Sequence, residues 1–202
     1  IMNDEKEKQP DGRKIPKIHE NPIDNILIDG SIVLGKVLSK FSFFTPNVFT
    51  TISLIISLVG IYYIHNKDYR IGAILIFIGY FFDALDGNFA RIYKMTSKYG
   101  DYYDHISDVS KFILLFFVIL LSKLKTNTKI LFYISFVILY LLSFIHLGCQ
   151  EKFYNKSSSL DILKSLCGKK ENIIYTRYFG LGTTELLKLI FLYNMKYINN
   201  FL

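Results

Sequence analysis

Between positions 83 and 108 of this 202-residue chain, four carboxylates, two glycines, an alanine and an arginine stand in fixed register: Asp83, Asp86, Gly87, Ala90, Arg91, Gly100, Asp104 and Asp108. The spacing reads D-x2-D-G-x2-A-R-x8-G-x3-D-x3-D. A helix advancing about 100° per residue carries Asp83, Gly87 and Ala90 within about 60° of one another, with Asp86 beside them. One face thus combines carboxylates with residues that have almost no side chain, so a ligand or another helix can approach the backbone there. In the next segment Asp101, Asp104 and Asp108 recur at i, i+3 and i+7 and share a face too. Carboxylates gathered from two helices repel unless a cation lies between them. Hard oxygen ligands suit Mg2+ or Mn2+, and no His or Cys cluster competes for the assignment. Magnesium held by a few carboxylates usually completes its shell with substrate phosphates, which points to a diphosphate-bearing substrate.

Each residue also has a plainer reading. A single membrane Asp can pair with a lysine or cap a helix, but intramembrane carboxylates are expensive, and four at this spacing call for a shared partner. Asp101 lies outside the pattern and reads as a solvated helix start. Lys111, three residues after Asp108, reads as an ion pair that eases both into the bilayer.

The elements that must position these groups are membrane helices. About half the chain is apolar and 16% is aromatic, in long runs, which places it among membrane proteins. Hydropathy predicts an all-α integral membrane protein with about five spans, near 48–65, 71–90, 101–122, 130–149 and 178–195. Residues 1–20 read as a mobile polar segment. Residues 21–44, with Ile23, Leu27, Val33, Leu34, Val37 and Leu38 between charged positions, read as an amphipathic interfacial helix. Residues 45–202 then form the transmembrane catalytic domain, opened by Thr45, Pro46 and Asn47, proline being tolerated in a first helical turn. No cleavable signal peptide is expected, because the first strongly apolar stretch comes late. Cys149 and Cys167 show neither a disulfide framework nor a metal spacing and read as incidental.

Sixteen of the 24 Lys and Arg fall in the amino-terminal segment, the 91–100 turn and the 150–177 loop. The amino terminus and the carboxylate site are therefore expected on the cytosolic side. The net charge of +7 comes with no nucleic-acid motif, so membrane lipids and anionic substrates are the expected partners.

The eight-residue pattern resembles the signature of the CDP-alcohol phosphotransferase family, integral membrane enzymes of phospholipid synthesis, and departs from it at no position. The resemblance implies that an alcohol acceptor attacks the β-phosphoryl group of a CDP-linked donor and CMP leaves. It implies that Asp83, Asp86 and Asp104 hold the metals and that Asp108 completes the site or takes the alcohol proton. It assigns Gly87, Ala90, Arg91 and Gly100 to the nucleotide and phosphates. Thr45, Pro46 and Asn47 resemble a segment before the family's first span, and the interfacial helix is also a family feature. Asp104 and His105 resemble the Asp-His pair of the choline and ethanolamine phosphotransferases, although a solvated histidine is the plainer role. His146 reads as a packing residue. Arg177 and Glu185 are candidates for the acceptor. The family usually has six spans against the five found here, and the resemblance leaves room for a homodimer. Two other readings compete: a magnesium-dependent, aspartate-rich prenyltransferase, which does not require the Gly, Ala and Arg, and a cation transporter, which would carry carboxylates on more spans.

Overall fold

The computed structural model describes residues 11–154 and 161–202, and every regular element among them is helical. Helix α1 (Pro22–Leu38) starts at Asn21, whose side chain accepts hydrogen bonds from the amides of Ile23 and Asp24, as an N-cap should. Asn25, Ile28, Ser31 and Gly35 are buried while Ile26, Val33 and Val37 are exposed. Small and polar groups therefore face the protein and apolar ones face outward, which suits a helix lying against lipid.

Helix α2 (Pro46–His65) returns directly as α3 (Tyr69–Ile92). The two touch main chain to main chain. A Cβ on Gly60 would lie 2.9 Å from the Gly72 carbonyl oxygen, and one on Gly79 would lie 3.1 Å from that of Ser53. Such close approach is how small residues build helix contacts in membranes. It limits how far Thr50 and Ser53 can shift relative to Asp83 and Asp86. Helix α3 ends through Lys94, at φ 55°, with the Met95 amide bonding back to the Ala90 carbonyl at 2.8 Å. Helix α4 (Lys98–Leu121) is capped by Ser97, whose Oγ accepts from the Gly100 amide at 3.0 Å, and it packs on α2. After α5 (Thr126–Phe153) come 3-10 turns at Asp161–Leu166 and Lys170–Asn172, the short α6 (Ile173–Thr176), a further turn at Arg177–Phe179, α7 (Leu181–Tyr193) and α8 (Met195–Phe201).

Three of the five expected spans, α2, α3 and α5, are long and apolar enough to cross a membrane. The other two depart for different reasons. The first half of α4 carries Asp101, Asp104, Asp108 and Lys111, so only its second half is lipid-like. The segment expected at 178–195 is divided between a turn and the 13-residue α7, and 13 residues rise only about 20 Å. At the end remote from the carboxylates, Ile64, Ile76, Ile119, Phe132, Phe136 and Leu192 form the main core.

Two expectations need correction. Of the segment read as mobile, residues 1–10 lie outside the described residues, whereas residues 11–20 are packed: Ile15 is fully buried, and Arg13 is buried against Asp11, Asn25 and Asp29. A polar stretch can order itself when its charges find fixed partners, which composition does not reveal. Cys149 and Cys167, read as incidental, form a disulfide. It joins the end of α5 to the connection before α6 and is buried with Ile15 and Ile173. One cysteine pair has no spacing pattern to recognise, and only the tertiary fold brings the two together.

Candidate active site

Asp83 projects from α3, and Asp104 and Asp108 from α4, so that one carboxylate oxygen from each lies within 4.8 Å of the others. Asp83 is mostly buried; Asp108 is the most open, with 46% of its side chain exposed. One oxygen of Asp104, Oδ1, is buried with no hydrogen-bond partner. A buried, unpartnered carboxylate oxygen is costly, and it belongs to a residue of a three-carboxylate cluster. An all-oxygen donor set with an orphaned oxygen fits a hard divalent cation.

Asp86 has a partner of its own. It is buried, and its Oδ2 accepts a 2.6 Å hydrogen bond from Thr50 Oγ1 on α2. Of the expected metal holders Asp83, Asp86 and Asp104, the first and last lie in this cluster together with Asp108, expected to complete the site or take the alcohol proton, while Asp86 is bonded to a neighbouring helix. Lys111 bridges the cluster: its Nζ lies 2.8 Å from Asp83 Oδ1 and 2.7 Å from Asp108 Oδ1, and it donates to Ser53 Oγ at 3.1 Å. Thr50 and Ser53 were not singled out by the sequence reading. Their signal was there, since Thr50, Ser53, Ser57 and Gly60 recur at three- and four-residue steps and mark a small, polar stripe on an otherwise apolar span.

No neighbouring helix presses on Gly87. The nearest group to a Cβ there is the flexible guanidinium of Arg91, at 3.1 Å. Arg91 Nε donates to the Gly12 carbonyl at 2.5 Å, so the packed amino-terminal segment orients it. Ala90, one turn from Asp86 on the same helix, is partly buried. A Cβ on Gly100 would meet Asn47 Oδ1 at 3.1 Å, which places the 45–47 segment against the start of α4.

Beyond Asp83 lies a cavity of about 160 Å³ between α1, α3, α5 and α7, lined among others by Glu20, Asp24, Tyr80, Arg91, His146 and Gln150. Glu20 accepts from the Asn21 amide at 3.0 Å and from Gln150 Nε2 at 3.1 Å, and burial pushes its carboxyl up. Asp24 accepts from Tyr80 Oη at 2.7 Å and from the Gly182 amide at 3.1 Å. Burial, then the charge of Glu20, push its carboxyl up to about 7. His146 is buried, its ring bonded to Thr176 and Gln150, so it packs and also lines the cavity. Neither acceptor candidate lines the cavity: Glu185 receives Lys188 Nζ at 2.6 Å and Tyr140 Oη at 3.0 Å, and Arg177 donates through Nη1 to the Ile18 carbonyl while its Nε is buried without a hydrogen-bond partner. His105 lies 3.8 Å from Asp101, on the more open side of α4.

Fold and site together define a polytopic helical membrane protein with an acidic, cation-seeking centre where α3 and α4 meet. Its sequence matches the CDP-alcohol phosphatidyltransferase family over residues 43–193. The chain belongs to that family, which sets aside the prenyltransferase and transporter readings. It is 35% identical over 75 residues to an archaetidylinositol phosphate synthase of Pyrococcus horikoshii, covering 37% of this chain and 39% of that protein. It is 33% identical over 67 residues to a CDP-diacylglycerol–serine O-phosphatidyltransferase of Helicobacter pylori, covering 33% of this chain and 28% of that protein. The matched segments thus span well under half the length of these relatives. No solved structure matches the chain.

Proposed function

We propose that the protein is a divalent-metal-dependent phosphotransferase of phospholipid synthesis, using a CDP-linked donor and an alcohol acceptor. The observation that carries this reading is the convergence of Asp83, Asp104 and Asp108, with the unpartnered Asp104 oxygen among them, inside the matched family segment. Mg2+ or Mn2+ held by these carboxylates, with Asp86 in support, would offset the charge of the donor's diphosphate. Arg91 and the bare backbone at Gly87 and Ala90 receive the nucleotide and phosphates, and Gly100 keeps the start of α4 close to α2. The acceptor oxygen forms a bond to the β-phosphorus, the bond from that phosphorus to the bridging oxygen breaks, and CMP departs with the bonding pair. Asp108, the most open carboxylate, accepts the alcohol proton.

The acceptor occupies the cavity beyond Asp83 rather than a site at Arg177 or Glu185, neither of which lines it. Its walls present Glu20 and Asp24 together with Lys14, while Arg91, assigned to the donor's phosphates, borders it. That mixture suits a small acceptor carrying both an ammonium and a carboxylate, such as the serine named in the Helicobacter relative, better than a phosphorylated polyol. Membrane lipids and, by family resemblance, a second copy of the chain complete the partners.

The test is CMP release from CDP-diacylglycerol by purified protein, with serine, inositol phosphate or no acceptor added. Release with serine that stops in chelator supports the proposal. Release undiminished by chelator, or none with any acceptor, overturns it. The cytosolic orientation belongs to the same proposal. Cys149 and Cys167 are bonded to each other, so a cysteine placed at Asn127 or at Ser165 is a lone free thiol. In sealed vesicles the two are expected to label from opposite sides, and labelling from the same side would refute the topology.

A further inference from the structure

Lys111 has no part in the reaction as proposed, yet it occupies the centre of the carboxylate cluster. Its ammonium has three N–H groups and three acceptors: Asp83 Oδ1 at 2.8 Å, Asp108 Oδ1 at 2.7 Å and Ser53 Oγ at 3.1 Å. Those partners come from α3, α4 and α2, so one side chain ties three helices together. Among the described residues, Lys111 is the one basic side chain in salt-bridge contact with these carboxylates. Its side chain is 14% exposed, which limits the water available to screen it.

A magnesium ion binds oxygen at about 2.0–2.1 Å, and a carboxylate oxygen so engaged cannot also keep an ammonium in the same place. Two cations between the same pair of oxygens would repel strongly in a poorly solvated site. The long lysine stem has the freedom to withdraw, whereas the carboxylates have short side chains on packed helices. Asp104 Oδ1 is left unpartnered by Lys111, so the site is neutralised in part and still attractive to an incoming ion.

We propose that Lys111 is a tethered counter-cation, which holds Asp83 and Asp108 together before the divalent ion binds and is displaced from them when it does. This rests on the metal-dependent reading above. Lys111 is a positioning residue under it, with two opposed effects: it stabilises the ion-free protein and it weakens ion affinity, because the ion must expel it. A permanent ion pair serving only membrane insertion would have the first effect without the second.

Mn2+ binding, followed by electron paramagnetic resonance on purified protein, separates these. Lys111→Met is expected to bind Mn2+ at least tenfold more tightly than the parent and to unfold at lower temperature in chelator, with Mn2+ restoring its stability. Lys111→Arg keeps the charge and is expected to match the parent in chelator. Equal or weaker Mn2+ affinity in Lys111→Met overturns the proposal. Should Lys111→Met fail to fold, the unmodified protein still decides: acylation of Lys111 by a water-soluble succinimidyl ester, read by mass spectrometry, is expected to rise several-fold when Mn2+ replaces chelator. Equal acylation in a parent that binds Mn2+ sinks this inference alone. A parent that binds no Mn2+ sinks the metal-dependent reading and this inference with it.

Discussion

The two walls that meet at Asp83 are built by opposite means. On the carboxylate side, α2 and α3 are adjacent in sequence and touch through Gly60, Gly72 and Gly79 with almost nothing between them. On the cavity side, the groups come from residues 20–24, 146–150 and 177–183, and side chains hold them. Asn21 donates to the Arg177 carbonyl at 2.6 Å and to Thr183 Oγ1 at 2.8 Å, Asp24 receives the Gly182 amide, and Gln150 donates to Glu20. A wall set by main-chain contact has few ways to move. A wall set by side-chain hydrogen bonds between distant segments can be altered one residue at a time, which suits the acceptor role proposed for the cavity.

The comparison breaks most sharply at the carboxylates. Asp83→Asn and Asp104→Asn are each expected to lower CMP release by about 10³-fold or more while the protein still folds and inserts. Residual activity within about tenfold of the parent would mean that the cluster is structural. A smaller effect is expected at Gly87, whose face is closed only by a flexible guanidinium. Gly87→Leu is expected to raise the KM for the CDP donor by about tenfold or more, since a side chain fills space the ligand needs, and to leave Mn2+ affinity and acceptor KM near parental values. Unchanged donor KM would show that the space has no ligand.

The cavity wall is expected to respond in the complementary sense. A cross-link closing a loop of this length contributes about 3 kcal/mol, so Cys149→Ser is expected to lower thermal stability and raise acceptor KM several-fold with donor KM unchanged. Equal changes in both KM values would remove the distinction between the walls. The gentlest probe is pH. Asp24 titrates at about 7 in the folded chain against an ordinary 3.8. Between those values the folded chain retains a proton that the unfolded chain has released. Stability from this group is therefore full below pH 3.8, falls as pH rises through about 7, and is level above that. Asp24→Asn is expected to remove this slope from thermal unfolding measured across pH 4–8, and an unaltered slope would assign it to another group.

The same contrast explains what could be read from the sequence. The signature lies within 26 consecutive residues on two helices joined by one turn, so helical periodicity alone brings Asp83 towards Asp104 and Asp108. Gly100, too, was singled out, although its close neighbour Asn47 could not be paired with it from spacing. Glu20, Asp24 and Gln150 were not legible as a site, because their meeting depends on contacts across 100 or more residues. Arg177 and Glu185 were chosen by chemistry, which does not reveal that the cavity is lined by other residues. Asp86 was grouped with the other carboxylates because one helix face carries it, and its hydrogen bond to Thr50 on another helix could not be foreseen from spacing.

Helix α7 has a consequence for the surrounding lipid. At about 20 Å it falls some 10 Å short of a typical hydrocarbon core, and its middle holds the Glu185–Lys188 pair. Its first residue, Leu181, borders the cavity. A helix shorter than its bilayer draws the two leaflets together around it. Under the proposed function, a bilayer thinned beside the cavity would shorten the distance between a water-soluble acceptor and a lipid-anchored donor, and turnover is then expected to vary with acyl-chain length.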